Sequence, residues 1–293
     1  MYLPTAELHQ TTTLAEASEL LRRFGSTAKL LAGGTDLLVD LKGKRVTAEH
    51  IISINRIDDL KGVTLCAESL RIGALTTITE LDEAPLVRDH CPAIQDATKS
   101  MAVRQVRNLA TVGGNLASAV SCADLPPVFI AMNATVALWS PRSERLLPLE
   151  QFFLGPRRTA RREDEILSAV EIPIAPPGFG AAYARFGLRE GNAIAVAAVA
   201  ASLRLAADGT IEDARVVLGA VSPIPKLATK VSELLLGSPP TDELFAKAAG
   251  VATSETDPIS DIRGSAEFRR ELIRVLTARA LAKALRRVKG EDR

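Results

Sequence analysis

Two glycine doublets carry the clearest chemical signal in the chain: Ala32-Gly33-Gly34-Thr35-Asp36 and, about 80 residues further on, Thr111-Val112-Gly113-Gly114-Asn115. Without a Cβ the backbone can approach an anion closely, and successive N–H groups beside a helix N-terminus supply partial positive charge. The guest such turns suit is a pyrophosphate. Neither doublet is G-x-G-x-x-G, and G-x-x-x-x-G-K-S/T occurs nowhere, so both common nucleotide-loop readings fail on spacing. One doublet alone is ordinary loop punctuation, whereas the pair is informative.

Other side chains offer less. Cys66, Cys91 and Cys122 lie far apart with no Cys-x-x-Cys pair, which suggests neither a disulfide framework nor a thiolate cage, so any cluster must sit on another chain. His9, His50 and His90 are not at ligand spacing, which disfavours a mononuclear metal site and leaves them as surface or loop residues. No triad, histidine cluster or paired catalytic carboxylates stands out.

The doublets must be held by regular elements. Leu14, Ala17, Leu20, Leu21 and Phe24 recur at helical spacing, Gly25 stops that helix, and residues 28–32 read as a strand. The first doublet follows, and then a helical pattern in Leu37, Leu38 and Leu41 that ends at Gly43. Thr35 is expected to cap its first turn and Asp36 to complement its dipole. Residues 51–54 and 70–74 read as strands, 79–88 as a helix in which Pro85 falls early or bends it, and 93–101 as a helix before the second doublet. Residues 128–139 suit a buried helix end and a strand, and 166–172 another strand.

Pro173, Pro176, Pro177 and Gly178 form the densest breaker cluster and the best domain boundary. Beyond it, residues 181–186, 194–205 and 211–221 read as strands, with Asp208-Gly209 as a hairpin turn. Helices follow over 226–236, 242–253 and 265–288, the last with Phe268, Leu272, Val275, Leu276 and Leu285 on one face. Strands followed by helices point to an α+β fold.

Composition excludes several function classes. A chain of 293 residues with 47% hydrophobic and 24% charged residues has enough apolar material for two cores. Lys plus Arg number 36 against 35 for Asp plus Glu, so a net charge of +1 gives no field to attract a nucleic acid. Aromatics at 4% offer no stacking platform for bases. The start, Met1-Tyr2-Leu3-Pro4-Thr5-Ala6-Glu7, lacks a basic and apolar leader, and the longest apolar run, 193–201, is far short of a bilayer span. A cytoplasmic protein is expected.

Three segments together resemble a known family. Lys29-Leu30-Leu31-Ala32-Gly33-Gly34-Thr35-Asp36-Leu37-Leu38 resembles the first flavin loop of the FAD-binding medium subunits of the xanthine dehydrogenase, or molybdenum hydroxylase, family. Arg104-Gln105-Val106-Arg107-Asn108, then Thr111-Val112-Gly113-Gly114-Asn115-Leu116, then Asp124-Leu125-Pro126-Pro127 is similar to that family's second flavin loop in order and spacing. Asp164-Glu165-Ile166-Leu167 before Glu171-Ile172-Pro173, and the segments after Gly178, extend the likeness over nearly the whole chain.

The resemblance implies a vanillyl-alcohol-oxidase-type (PCMH) FAD-binding fold over residues 1–176, in lobes of about 1–57 and 58–176. A carbon monoxide dehydrogenase flavoprotein C-terminal-like α+β domain of antiparallel sheet plus helices would follow over 177–293. It implies that the backbone of Lys29, Leu30, Leu31, Ala32, Gly33, Gly34, Thr35 and Asp36 wraps the FAD diphosphate, and that Thr111, Val112, Gly113, Gly114 and Asn115 approach from the other side. Asp124 would bond a flavin hydroxyl or ring edge, Met101 and Ala102 would flank the cofactor, and Leu167 would lie against the flavin. Arg185 falls where relatives carry Lys, keeping the charge while altering its geometry.

It further implies an oxidoreductase subunit with no catalytic residue of its own. Electrons would come from two 2Fe-2S clusters on a small subunit, fed by a large molybdopterin subunit in a dimer of heterotrimers, and pass to NAD, oxygen or another acceptor. The alternative is a free-standing flavin-dependent oxidase of related fold, which nothing resembling a covalent flavin anchor or substrate base supports. A scaffold that has lost its cofactor would not need Gly33, Gly34, Gly113, Gly114 and Asn115 intact. No cysteine-rich insertion of the kind that carries an extra iron-sulfur cluster is present. Cys122 is read as packing, and Arg157, Arg158, Arg161 and Arg162 as a solvated loop. Taken singly, Asp36 would be a first-turn helix acid and Asp124 a turn former.

Overall fold

The computed structural model describes residues 4–292 and builds three main sheets, with a small two-stranded ribbon beside them. Residues 1–3 of the start and residue 293 of the charged end lie outside the described residues.

The first sheet is parallel, in the order β1 (Glu7–Gln10), β3 (His50–Ser53), β2 (Ala28–Leu31). Helix α1 (Leu14–Phe24) connects β1 to β2, and α2 (Leu37–Lys42) lies between β2 and β3. Thr13 caps α1 by accepting from the Glu16 N–H. The cap expected of Thr35 is not made. Asp36 takes the N-cap position of α2, outside the first turn, and its side chain makes no cap bond.

The second sheet is antiparallel, in the order β4 (Val63–Leu65), β5 (Ser69–Gly73), β10 (Ile166–Pro173), β6 (Thr135–Trp139), β7 (Glu144–Pro148). Between β5 and β6 run the helices α3 (Ile78–Glu83), α4 (Pro85–His90), α5 (Pro92–Ser100), α6 (Arg104–Arg107), α7 (Val112–Ala117) and α8 (Leu125–Ala131). Pro85 does not bend one helix but starts a second, because it stands at N1, where its missing N–H costs nothing. The second glycine doublet is not a turn either. It lies in the first turn of α7, capped by Thr111. Helix α9 (Leu149–Phe152) leads into the ribbon of β8 (Phe153–Gly155) and β9 (Arg158–Thr159).

The third sheet is an antiparallel meander of β11 (Phe179–Gly187), β12 (Ala195–Leu205), β13 (Ile211–Gly219) and β14 (Lys226–Leu227). Helices α10 (Thr229–Leu235), α11 (Asp242–Ser254) and α12 (Ala266–Val288) follow. The helix expected over 226–236 starts late, since Lys226 pairs with Leu218 as an edge strand.

The buried side of α12 is Ile273, Leu276, Thr277, Ala280, Leu281 and Ala284, whereas Phe268 is 41% exposed. Ala284 is small there because the sheet comes so near. A Cβ on Gly180 of β11 would stand 2.4 Å from the Ala284 carbonyl oxygen. The α+β reading holds throughout. Among the described residues no helix is long and apolar enough to cross a membrane.

Candidate functional site

The first doublet follows directly on β2. The backbone of Lys29, Leu30 and Leu31 is paired with β3, and the Lys29 ammonium bonds the Ser26 carbonyl at 2.9 Å. Among the described residues, nothing accepts a hydrogen bond from the amides of Gly33, Gly34, Thr35, Asp36 or Leu37. Gly34 holds a left-handed φ of +71°, which turns the chain between the strand and α2. A run of unpaired amides in such a bend is an anion-binding concavity.

The second doublet behaves differently. Its amides are used inside the protein: Val112 N–H donates to Thr76 O at 2.9 Å and Gly113 N–H to Ala74 O at 2.8 Å. Gly114 N–H donates to Thr111 Oγ1 at 3.1 Å, and Asn115 N–H to Thr111 O at 2.9 Å. What this segment offers a ligand is side chains. The Thr111 hydroxyl accepts from Gly114 and keeps its own proton free to donate, and Asn115 Oδ1 is buried with no partner. Gly113 exists for packing, because a Cβ there would meet Ala74 at 2.7 Å.

The two segments touch. A Cβ on Gly33 would stand 1.7 Å from the Leu109 carbonyl oxygen, two residues before Thr111, so only glycine permits this approach. Leu109 was not singled out in the sequence, since a carbonyl contact leaves no side-chain signature.

Asp124 stands just before α8, and its carboxylate is occupied from the third sheet. Tyr183 Oη donates to Oδ1 at 2.6 Å, and Arg185 donates to both oxygens at 3.1 Å. Tyr183 and Arg185 are two apart on β11 and so share a face. Burial pushes the Asp124 pKa above its ordinary value, against the pull of Arg185 and Tyr183. Burial and then the Asp124 charge push the Tyr183 hydroxyl well above its own. Tyr183 was missed in the sequence, although its spacing from Arg185 on an alternating strand could have flagged it.

Met101 is 7% exposed, and its carbonyl accepts from Arg107 at 3.0 Å. Ala102 follows with a left-handed φ of +39°. Leu167 is 5% exposed in β10, where a bulge at Ser168 sends the Ser168 carbonyl to the Ala74 N–H at 2.9 Å. The same Ala74 carbonyl holds Gly113, so the bulge and the second doublet are tied through one residue. Cys122 has its pKa raised, by burial first, with the charges of Asp124 and Asp36 adding to it.

Two readings of individual residues need correction. The basic run is solvated only in part: Arg158 and Arg162 are exposed, but Arg157 pairs with the buried Asp40 of α2, and Arg161 donates to the carbonyls of Arg162, Glu163 and Glu165. The histidines are not all isolated, since parallel pairing of β1 with β3 brings His9 and His50 together with Glu7.

A flavin dinucleotide suits this arrangement. The free amides from Gly33 to Leu37 match a doubly anionic bridge, and the orphaned Asn115 oxygen matches a ligand hydroxyl or N–H. Fold and site together define a flavin-binding oxidoreductase subunit. The chain belongs to the family described as the FAD binding domain in molybdopterin dehydrogenase, whose model matches residues 4–175, while residues 181–284 match the CO dehydrogenase flavoprotein C-terminal domain.

Among curated relatives, it is 33% identical to the putative xanthine dehydrogenase FAD-binding subunit of Escherichia coli K12 over 98% of both chains. It is 32% identical to the glyceraldehyde dehydrogenase medium chain of Sulfolobus acidocaldarius, over 96% of this chain and 98% of that one. Among solved structures, carbon monoxide dehydrogenase from Hydrogenophaga pseudoflava matches with a TM-score of 0.94 at 34% identity, covering 98% of this chain and 99% of that one.

Proposed function

We propose that the chain is the FAD-carrying electron-transfer subunit of a multi-subunit molybdenum hydroxylase. The observation that carries this reading is the unpaired amide run from Gly33 to Leu37, whose Gly33 lies against Leu109 at the start of the segment that carries the orphaned Asn115 oxygen. Residues 1–176 form the flavin-binding unit in two lobes, 1–57 and 58–176, and residues 177–293 complete it. The first-loop amides hold the diphosphate, with Ala32, Gly33, Gly34, Thr35 and Asp36 as its wall. Thr111 donates its hydroxyl proton and Asn115 supplies an acceptor from the opposite side, while Val112, Gly113 and Gly114 shape the approach.

Met101, Ala102 and Leu167 exclude water from the ring. Asp124 and Arg185 form a fixed ion pair whose field acts on the ring edge. Bound FAD supplies a group that accepts electrons singly and releases them in pairs. No side chain of this subunit need move a proton.

The partners are a large molybdopterin subunit and a small subunit with two 2Fe-2S clusters, assembled as a dimer of heterotrimers in the cytoplasm. NAD, oxygen or another carrier takes the electrons. Related chains named as medium subunits of carbon monoxide, glyceraldehyde and nicotine enzymes support this assembly.

The test is to purify the full chain alone and, separately, from its native source. Alone, it takes up FAD and is bleached by dithionite, yet oxidises no aldehyde or heterocycle. From the native source it copurifies with molybdenum and iron. Substrate oxidation by the isolated chain would favour a free-standing oxidase, and a colourless protein in excess FAD would end the flavin reading.

A further inference from the structure

The end of the parallel sheet away from the glycine loop holds a second group of convergent ligands. Glu7 opens β1, His50 opens β3, and the two are register partners. His9 follows Glu7 by two residues and so lies on the same face of the strand. His9 Nε2 and His50 Nδ1 stand 3.1 Å apart. Glu7 Oε1 is 3.8 Å from His9 Nε2, and Glu7 Oε2 is 3.4 Å from His50 Nδ1.

Those separations are close to the edges of a tetrahedral ligand set. Ligand atoms about 2.0–2.1 Å from a tetrahedral ion lie about 3.4 Å from one another, and two imidazoles with one carboxylate are a ligand set zinc accepts. The rings are already fixed in place. Phe24 stacks on His50 with centroids 3.6 Å apart and 15° between planes, and on His9 at 5.1 Å and 29°. The imidazoles are shielded, at 17% and 18% side-chain exposure, while Glu7 at 66% leaves the fourth position open to water.

We infer that Glu7, His9 and His50 bind a divalent transition ion of the zinc type, which clips the β1 edge strand to β3. Without the ion, the two facing nitrogens share one proton in a hydrogen bond. With it, the donor ring takes its other tautomer, the proton passing by way of solvent to the far nitrogen of the same ring, so that both rings stay neutral, each facing nitrogen donates a lone pair to the ion, and the carboxylate offsets part of its charge. The clip joins residues 41 apart in sequence. It is independent of the flavin reading, because Glu7 and His50 open their strands whereas the glycine loop follows the end of β2.

The experiment uses the full chain, stripped with chelator and titrated with zinc chloride, then with cobalt(II) for its visible spectrum. Expected are one zinc per chain, an intense tetrahedral cobalt spectrum and a raised Tm. Affinity should fall at least about 10-fold in His9→Gln and His50→Gln, as losing a ligand costs no less than losing a ligand's hydrogen-bond partner. It should be unchanged in His90→Gln, whose histidine lies outside the cluster. Glu7→Gln, at an exposed position, weakens binding without threatening the fold. Zinc binding of equal strength in His50→Gln, no binding by the unsubstituted chain, or a weak octahedral cobalt spectrum would each overturn the inference.

Discussion

Gly33 and Gly114 answer to different neighbours, which separates packing from ligand approach. A methyl on Gly33 must displace the Leu109 carbonyl, while one on Gly114 meets only the Thr111 hydroxyl at 2.9 Å. Gly33→Ala is therefore expected to cost about 2–3 kcal/mol, the scale of a backbone-shifting overpack, and to lower FAD affinity as the segments part. Gly114→Ala should cost less, about 0.5–2 kcal/mol, because the Thr111 hydroxyl it crowds is the cap of α7. Paired thermal melts and flavin titrations of both variants check this. The sequence marked all four glycines as one kind of residue. Two of them, Gly33 and Gly113, are needed for contacts made inside the protein, and that distinction belongs to neighbours far away in the chain.

Helix α5 and helix α12 are joined through Asp96. Lys283 donates to Oδ1 at 2.8 Å, Arg287 to Oδ2 at 2.6 Å and to Oδ1 at 3.0 Å, and the Tyr183 N–H to Oδ2 at 3.1 Å. Burial pushes the Asp96 carboxyl up, but the bonds from Arg287 and Lys283 outweigh it and hold the pKa below the ordinary value. Asp261 is lowered to about 2 by Arg263 first, with Arg269 also bonding it. A carboxylate lowered on folding stabilises fully above its unfolded value of about 3.9 and loses that contribution as pH falls through the folded value.

Stability should therefore drop between about pH 4 and pH 2, followed by the fluorescence of the lone Trp139. Asp96→Asn should cost about 3–5 kcal/mol at neutral pH, by leaving two cations short of a partner, and should flatten that acid limb. Most elements were legible from periodicity, α1 and the β12–β13 hairpin above all. The buried face of α12 was legible only in part: Leu276 lies on it and Leu272 and Leu285 pack beside it, but Ala280 and Ala284 were missed, because hydrophobic spacing favours large residues where a glycine-backed sheet selects small ones.

Taken whole, the proposed flavin site draws on three sheets. The glycine loop comes from the first, the α7 segment and the β10 bulge from the second, and Tyr183 with Arg185 from the third. The first two contributions could be read as motifs because each is a short run with its own backbone chemistry. The third was readable only as a basic residue at a family position, and the Glu7, His9 and His50 group not at all, since parallel register between β1 and β3 leaves no local trace.

A chain ending at residue 176 would keep both glycine segments, yet leave Asp124 without its partners. It should melt well below the full protein and, unlike it, gain little from saturating FAD, where about 2.7 kcal/mol is expected at a hundredfold excess over Kd. Scanning calorimetry with and without FAD decides this. The contact of Gly33 with Leu109 reaches further still. With the two walls already resting on each other, the ordering entropy of the pocket is settled when the polypeptide folds, and no hinge has to shut around the incoming coenzyme. The empty protein is thus a preformed mould, and its colour should return on mixing without a slow rearrangement phase.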